Sequence, residues 1–424
     1  MMGPRSPPAR LEGFRFDRRV YLLASAAFVR SSGRSAAYVF LPLILYTLFH
    51  LSFLQVGLLT AAIVPVNVAG YFIGGSASDR IGRRPLAAFP PLLIAIAFVA
   101  LYLWGAQDLT LLVGLWVPQG FLIGLQGPAQ DAMVGDVTEP HQRVNAFGFQ
   151  RVMANAGFAL SPALGGYLAA SYGLPIVFLM AAVTTFGEGL LLLLFLRESN
   201  PQDVRAGASP GTEQAPRFRD QLRAPFHDGL LLALGLLGAG LALVSGQFGT
   251  PLALFLEGIR GYSYAGIGLL YSLNGILVVT LQIPISWNLR RRPLLWMAAG
   301  TTFYAVAYLV FEVGAAYAIS LLAISLLTLG EDVVSPLQSS LVSGLSGRKG
   351  RGSYYGAYNV FTNSARAAAP AVGTLLLGLG SQGPLALWGT MAGLGFMVAL
   401  GFVLFERRTG WTAMLPSRPS TEDG

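Results

Sequence analysis

Long apolar stretches separated by short polar turns run through almost the whole chain, and they set its class before any single residue is weighed. They fall near 20–48, 53–77, 86–105, 109–136, 145–170 and 174–196, and after a polar interval near 229–256, 263–288, 293–312, 316–343, 354–379 and 384–405. Each is about 20 residues or longer, enough for a helix to cross roughly 30 Å of hydrocarbon. Backbone in lipid must satisfy its own hydrogen bonds, so the pattern predicts an all-α membrane protein with twelve transmembrane helices. The interval 197–228 carries Pro201, Pro210, Pro216 and Pro225 and predicts a linker. The expected organisation is an N-terminal segment 1–19, six-helix bundles at 20–196 and 229–406, and a polar, disordered tail at 407–424.

The two sets of six repeat each other. An offset of 208 carries Pro85 onto Pro293, Pro128 onto Pro336, Gln130 onto Gln338, Arg143 onto Arg351, Gly148 onto Gly356, Asn155 onto Asn363, Pro162 onto Pro370 and Gly165 onto Gly373. Coincidence of so many helix-shaping residues implies two bundles related by an axis along the membrane normal, with a substrate path expected between them.

Composition agrees, since 54% hydrophobic and 11% charged residues leave too little charge for a water-soluble globule. A net charge of +8 would suggest nucleic acid in a soluble protein, but its distribution points elsewhere. Arg5, Arg10, Arg15, Arg18 and Arg19 precede the first span, and further arginines fill alternate turns at 80–84, 143, 197–223, 290–292, 348–351 and 407. The intervening turns hold Arg260 with Asp108, Glu257 and Glu312. The positive-inside rule therefore places both termini in the cytoplasm, and the basic turns meet membrane lipids rather than nucleic acid. The first span is too long for a signal-peptide core and is read as uncleaved. Absence of cysteine excludes disulfides and zinc–thiolate sites, and His50, His141 and His227 sit in or near turns, so no metal and no cofactor are expected.

The turn between the second and third spans reads GSASDRIGRRPL. Gly75, Asp79, Arg80, Gly82, Arg83 and Arg84 match G-x-x-x-D-R-x-G-R-R, and the stretch resembles the corresponding loop of major facilitator superfamily transporters. Gly82 suits a turn with positive φ, and Gly75 is expected to let helix backbones approach closely. Asp136, closing the fourth span, and Arg143 also resemble family positions, so Asp79, Arg83 and Asp136 are expected to form a cytoplasmic latch made and broken during transport. In the second half Trp287 and Asn288 replace the Asp-Arg pair and only Arg290 to Arg292 survive.

The fifth span carries Gly148, Gly157, Ser161, Pro162, Gly165 and Gly166. This resembles the helix-5 pattern of the twelve-helix drug/proton antiporters, with Ser161 in place of a glycine, and the resemblance implies an exporter of the bacterial cytoplasmic membrane. One departure matters: those antiporters have an arginine ahead of a Gln-Gly pair in the fourth helix. Here Gln119 and Gly120 remain, but Trp116 stands nearest the arginine position and no basic residue occurs between Arg84 and Arg143. Proton coupling through that arginine is excluded.

Charges at membrane depth are costly unless paired or hydrated, so they are the candidates for substrate and proton handling. Arg30 and Arg34 share a face of the first span, Asp131 lies in the fourth, Glu331 and Asp332 in the tenth and Arg366 in the eleventh. Glu188 in the sixth is given less weight. Arg366 is expected to pair with one of Glu331 and Asp332 while the other carries a coupled proton. No G-x-S-x-G, H-E-x-x-H or nucleotide-binding loop occurs, which excludes the obvious membrane enzymes and ATP-driven pumps. The expected function is secondary active export of a small amphipathic compound by a monomer, in exchange for protons. The alternative is import or proton symport of a small, anionic metabolite, or transport of a lipid-like anion.

The cysteine-free background makes the topology directly testable. In intact cells a membrane-impermeant thiol reagent should label Ser171→Cys and leave Ser346→Cys untouched; the reverse pattern overturns the orientation.

Overall fold

The computed structural model describes residues 16–139, 142–199, 228–289, 292–345 and 351–410. Most of the expected linker and tail lie outside the described residues. Twelve helices follow in order: α1 Arg18–Thr47, α2 in two segments Phe53–Ala61 and Ile63–Ile81, α3 Arg83–Ala100, α4 Leu109–Asp136, α5 Arg143–Tyr172 and α6 Ile176–Phe195. The second set is α7 Gly229–Ser245, α8 Tyr264–Asn288, α9 Pro293–Val313, α10 Tyr317–Leu345, α11 Arg351–Leu377 and α12 Gly383–Thr409. Among the described residues nine helices are long and apolar enough to cross a membrane. The other three are α1, α5 and α11, whose apolar runs are diluted by Arg30, Arg34, Arg151, Arg366 and many small polar residues.

Polar residues mark the helix starts. Ser52 and Gln55 form a reciprocal capping box at α2. Asp108 accepts from the Thr110 and Leu111 N–H groups at 2.7 and 3.3 Å, and Asp228 does the same for α7, acids at the positive end of a helix. Gly82, at φ 109°, makes the turn between α2 and α3 as its expected positive φ required.

Several boundaries differ from the apolar pattern. α2 breaks at Ala62 and continues to Ile81, beyond the expected 77, and α12 runs to Thr409. The expected span 229–256 is a helix only to Ser245, followed by a 3-10 turn Gly246–Phe248, a short helix Thr250–Leu254 and a π turn Phe255–Ile259. Pro251 has no N–H for the helical ladder, and the Gln247 side chain instead donates to the Leu243 and Ala369 carbonyls at 2.9 and 3.3 Å.

The chain forms two compact units, one holding the helices up to residue 199 with residues 253–276, the other residues 228–252 and 277–410. In the first, α1 packs between α5 and α6, and α3 between α4 and α6. In the second, α7 packs with α11 and α12, and α9 with α10 and α12, so the sequence repeat is a repeat of helix packing. Backbones touch where side chains vanish. A Cβ on Gly124 would fall on the Asn67 carbonyl, one on Gly74 would stand 2.8 Å from Leu125 Cα, and one on Gly120 2.9 Å from the Ile63 carbonyl oxygen, so α2 and α4 meet along a glycine seam. Gly75 takes no part in it: a Cβ there meets nothing within 4 Å, and the close approach expected of Gly75 belongs to its neighbour.

That one-residue contrast gives a prediction. Gly74→Ala should lower the unfolding midpoint of the purified protein, a loss of about 1–3 kcal/mol from overpacking, whereas Gly75→Ala should leave it unchanged; equal effects would refute the seam.

Candidate functional site

Arg30 and Arg34 sit one turn apart on α1, which α5 and α6 hold from either side. A Cβ on Gly157 would stand 2.5 Å from the Phe28 carbonyl oxygen and 2.9 Å from the Ser32 nitrogen, so α5 lies against the α1 backbone just before Arg30. One turn on, Ser161, fully buried, accepts a hydrogen bond from the Ala36 N–H at 2.9 Å. A Cβ on Gly165 would meet Ala36 Cβ at 2.5 Å, and one on Gly166 would fall on the Tyr264 carbonyl, with Gly268 Cα at 3.2 Å. The helix-5 motif thus seats α1 and the segment beginning at Tyr264, and Ser161 contributes the bond a glycine lacks. Gly148 stands in open space and does not share the packing expected of it.

At this level the first bundle holds a buried charge. Glu188 on α6 is fully buried, and its Oε1 accepts from Arg30 Nη1 at 2.9 Å, Gln126 Nε2 at 2.6 Å and Gln130 Nε2 at 3.4 Å. Arg30 Nη1 also donates to Gln130 Oε1 at 3.0 Å. Charge-assisted bonds of this kind are among the stronger polar contacts, and one acceptor here gathers three helices. Sequence reading gave Glu188 less weight than the other charges at membrane depth; the structure places it in an ion pair with Arg30. The available signal was Gln126 and Gln130 spaced i,i+4 on α4, a pair of donors that needs an acceptor at membrane depth.

Arg30 lines one side of a cavity of about 290 Å³, with Arg34, Ile123, Gln126, Gln130, Asp131, Phe147, Gln150 and Arg151 among its walls. The Asp131 carboxylate accepts from the Tyr71 hydroxyl at 3.5 Å. Arg34 Nη1 is buried without a hydrogen-bond partner among the described residues. Three guanidinium groups therefore face this cavity against one carboxylate on its wall, with Glu188 behind it.

A second polar cluster closes the arginine-rich end of the bundle. Arg83 pairs with Asp136 and donates to the Ala132 carbonyl at 3.0 Å. Glu198 accepts from the Arg83 and Arg84 backbone N–H groups at 3.2 and 3.1 Å, capping α3, and Arg84 Nη2 donates to the Leu193 carbonyl at 2.6 Å. Ser199 donates to Asp136 at 2.9 Å. Sequence reading included Arg83 and Asp136 but missed Glu198 and Ser199. Arg80 is exposed, Arg143 opens α5, and the side chain of Asp79 lies outside the described residues.

In the second bundle Glu331, Asp332 and Arg366 all lie within electrostatic reach of one buried residue, Tyr304. α10 comes close to α9 there: a Cβ on Gly330 would stand 2.7 Å from the Gly300 carbonyl oxygen and 3.0 Å from the Tyr304 ring. Asp332 is fully buried, Glu331 partly so, and Arg366 is exposed.

Known proteins place this architecture. The family model described as Major Facilitator Superfamily matches residues 23–370. The chain is 24% identical over 372 residues to a Na(+), Li(+), K(+)/H(+) antiporter of Planococcus maritimus, covering 81% of this chain and 86% of that protein. It is 22% identical over 376 residues to the quinolone resistance protein NorA of Staphylococcus aureus (strain MSSA476), covering 87% and 92%. The crystal structure of a peptide transporter POT in complex with sulfate superposes with a TM-score of 0.74 at 16% identity over 97% of this chain and 100% of that one, a likeness of fold. With twelve helices in two repeated bundles, the chain belongs to the major facilitator superfamily and is a secondary transporter.

Proposed function

We propose that this chain exports a small amphipathic compound by alternating access in exchange for protons. The observation that carries the reading is the first-bundle cavity, where Arg30 and Arg34 are presented against a wall fixed by Glu188. Phe147 and Ile123 supply an apolar surface and Gln126, Gln130 and Gln150 supply hydrogen bonds, the mixture an amphipathic ligand needs. Export is supported by the helix-5 glycine pattern, which seats α1, and by the likeness to a quinolone resistance protein and to an antiporter that exchanges cations for protons. The exchanged proton belongs on Glu331 or Asp332, with Arg366 as the counter-charge. Asp79, Arg83 and Asp136 form the latch of the cycle, and the chain works as a monomer in the bacterial cytoplasmic membrane with both termini inside.

A second reading is favoured by one feature, the shared oxygen of Glu188. Protonation of that carboxyl would release Arg30 toward the cavity, so an anion and a proton would bind together and move in the same direction.

Proteoliposome flux, driven by a pH gradient, separates the two. On the export reading Glu331→Gln or Asp332→Asn reduces gradient-driven transport at least about tenfold with binding retained, each 1.4 kcal/mol of lost coupling being a factor of ten. Glu188→Gln then leaves the pH dependence in place while weakening binding. If Glu188→Gln alone abolishes the pH dependence and both second-bundle variants keep it, co-transport replaces exchange.

A further inference from the structure

Five residues deep in the first bundle carry buried polar atoms with no hydrogen-bond partner among the described residues: Arg34 Nη1, Trp116 Nε1, Gln119 Nε2 and Oε1, Thr185 Oγ1 and Glu188 Oε2. Trp116, Gln119, Thr185 and Glu188 are each at most 3% exposed. A buried polar atom left unsatisfied costs about 1–3 kcal/mol, and several together are not tolerated in a chain whose whole stability is about 5–15 kcal/mol. Of the five residues, Arg34 lines the first-bundle cavity.

Their positions along three helices bring them together. Gly33 on α1 lies against the Met180 carbonyl and Thr184 on α6, so the next residues, Arg34 and Thr185, share that layer. Thr185 is one turn from Glu188 on α6. Arg34 lies within electrostatic reach of Glu188 on one side and Tyr38 on the other. The Tyr38 ring is 4.8 Å from the Trp116 ring on α4. Gln119 is one turn from Trp116 and two turns from Gln126, which holds Glu188 at 2.6 Å. The cavity already described reaches this zone, because Arg34 and Ile123 line it and Ile123 is one turn beyond Gln119.

The character of the atoms decides the ligand. Arg34, Trp116 and Gln119 offer N–H donors and Thr185 a hydroxyl that can donate or accept, against the acceptor oxygens of Gln119 and Glu188. Arg30 occupies the Glu188 oxygen that is bonded, so of the two α1 arginines it is Arg34 that has no direct ion pair among the described residues. A cation with a cluster of donors, at the inner end of a partly apolar cavity, fits an acidic group. We propose that Arg34, with Trp116 Nε1, Gln119 Nε2 and Thr185 Oγ1, forms a subsite for the carboxylate, or an equally small oxyanion, of the transported amphipath. Its apolar body would lie along Ile123 and Phe147. This rests on the reading that the first-bundle cavity is the substrate site.

The test compares probes of one shape on the purified full-length protein by calorimetric titration: 1-naphthoate, the uncharged naphthalene-1-carboxamide, and nitrate alone. Naphthoate should bind at least about tenfold more tightly than the amide, the usual worth of one charge-assisted contact. Arg34→Gln should erase that preference, Gln119→Leu should reduce it, and Ile123→Trp should block both aromatic probes. Arg34→Lys serves where Arg34→Gln fails to fold, and should bind naphthoate more weakly because an ammonium cannot reproduce the guanidinium fork. Equal binding of naphthoate and amide, both lost in Ile123→Trp, keeps the cavity as the substrate site and overturns the acidic subsite. Probe binding that Ile123→Trp leaves intact overturns the cavity reading itself. Nitrate binding without a naphthoate preference assigns the donors to a free anion, and no binding of naphthoate or nitrate up to millimolar concentration leaves them hydrated only; either result overturns the proposal.

Discussion

The first bundle depends on one carboxylate oxygen. Glu188 Oε1 collects Arg30 from α1 and Gln126 and Gln130 from α4, at a depth where water does not compete. Such a cluster is poor evidence for stability as such, because desolvating both charges costs about as much as their attraction returns. What it contributes is geometry. Removing one partner would leave a buried charge uncompensated, about 3–5 kcal/mol, so the three helices hold one register relative to each other. The glycines of α5 act in the same direction, since α1 can present Arg30 and Arg34 only if Gly157 and Gly165 allow its backbone to lie against α5.

The two ends of this arrangement behave differently. At the arginine-rich end Arg83, Asp136, Glu198 and Ser199 tie α3, α4 and the exit of α6 together near water, where each contact is individually weak. A network of this kind can be made and broken at modest cost. The Glu188 cluster cannot be opened so cheaply and is better suited to hold a fixed site than to cycle with every turnover.

The fold was largely legible in the sequence, because the features that fix it are local. Apolar runs give the helices, Gly82 the turn after α2, and the offset of 208 the two bundles. That offset also explains why the site was harder to find. It preserves residues that shape helices, such as Pro128 with Pro336 and Pro162 with Pro370, but not the charges at membrane depth: the counterparts of Arg30, Arg34 and Glu188 are Gly238, Ala242 and Phe396. Asp332 likewise corresponds to Gly124, and Arg366 to Phe158. Repeat arithmetic therefore reports scaffold and is silent on chemistry. The Glu188 cluster was not legible because it rests on a contact with α1, 158 residues away in sequence. Gly75 was overvalued for the opposite reason: it belongs to a recognisable motif, yet the backbone contact is made one residue earlier, by Gly74.

Under the proposed exchange, the acid that would carry the proton is constrained by the sign of coupling as well as by position. An anion held on Arg30 and Arg34 and a proton on Glu188 strengthen each other, because the proton removes the charge that competes for Arg30. Linkage makes the effect mutual, so each raises the affinity for the other by the same factor. Two ligands that bind together travel together, and a proton taken up at Glu188 would accompany an acidic substrate rather than replace it. Exchange needs the opposite relation, with substrate and proton bound in alternate halves of the cycle. An exporter of an acidic amphipath must therefore keep Glu188 as a standing counter-ion and place the exchanged proton where the substrate's charge does not stabilise it. Glu331 and Asp332 belong to the second bundle and lie within electrostatic reach of Tyr304, as Arg366 does. The division of charge between the bundles is thus what would allow one scaffold to run exchange, and merging both tasks on Glu188 would convert it to co-transport.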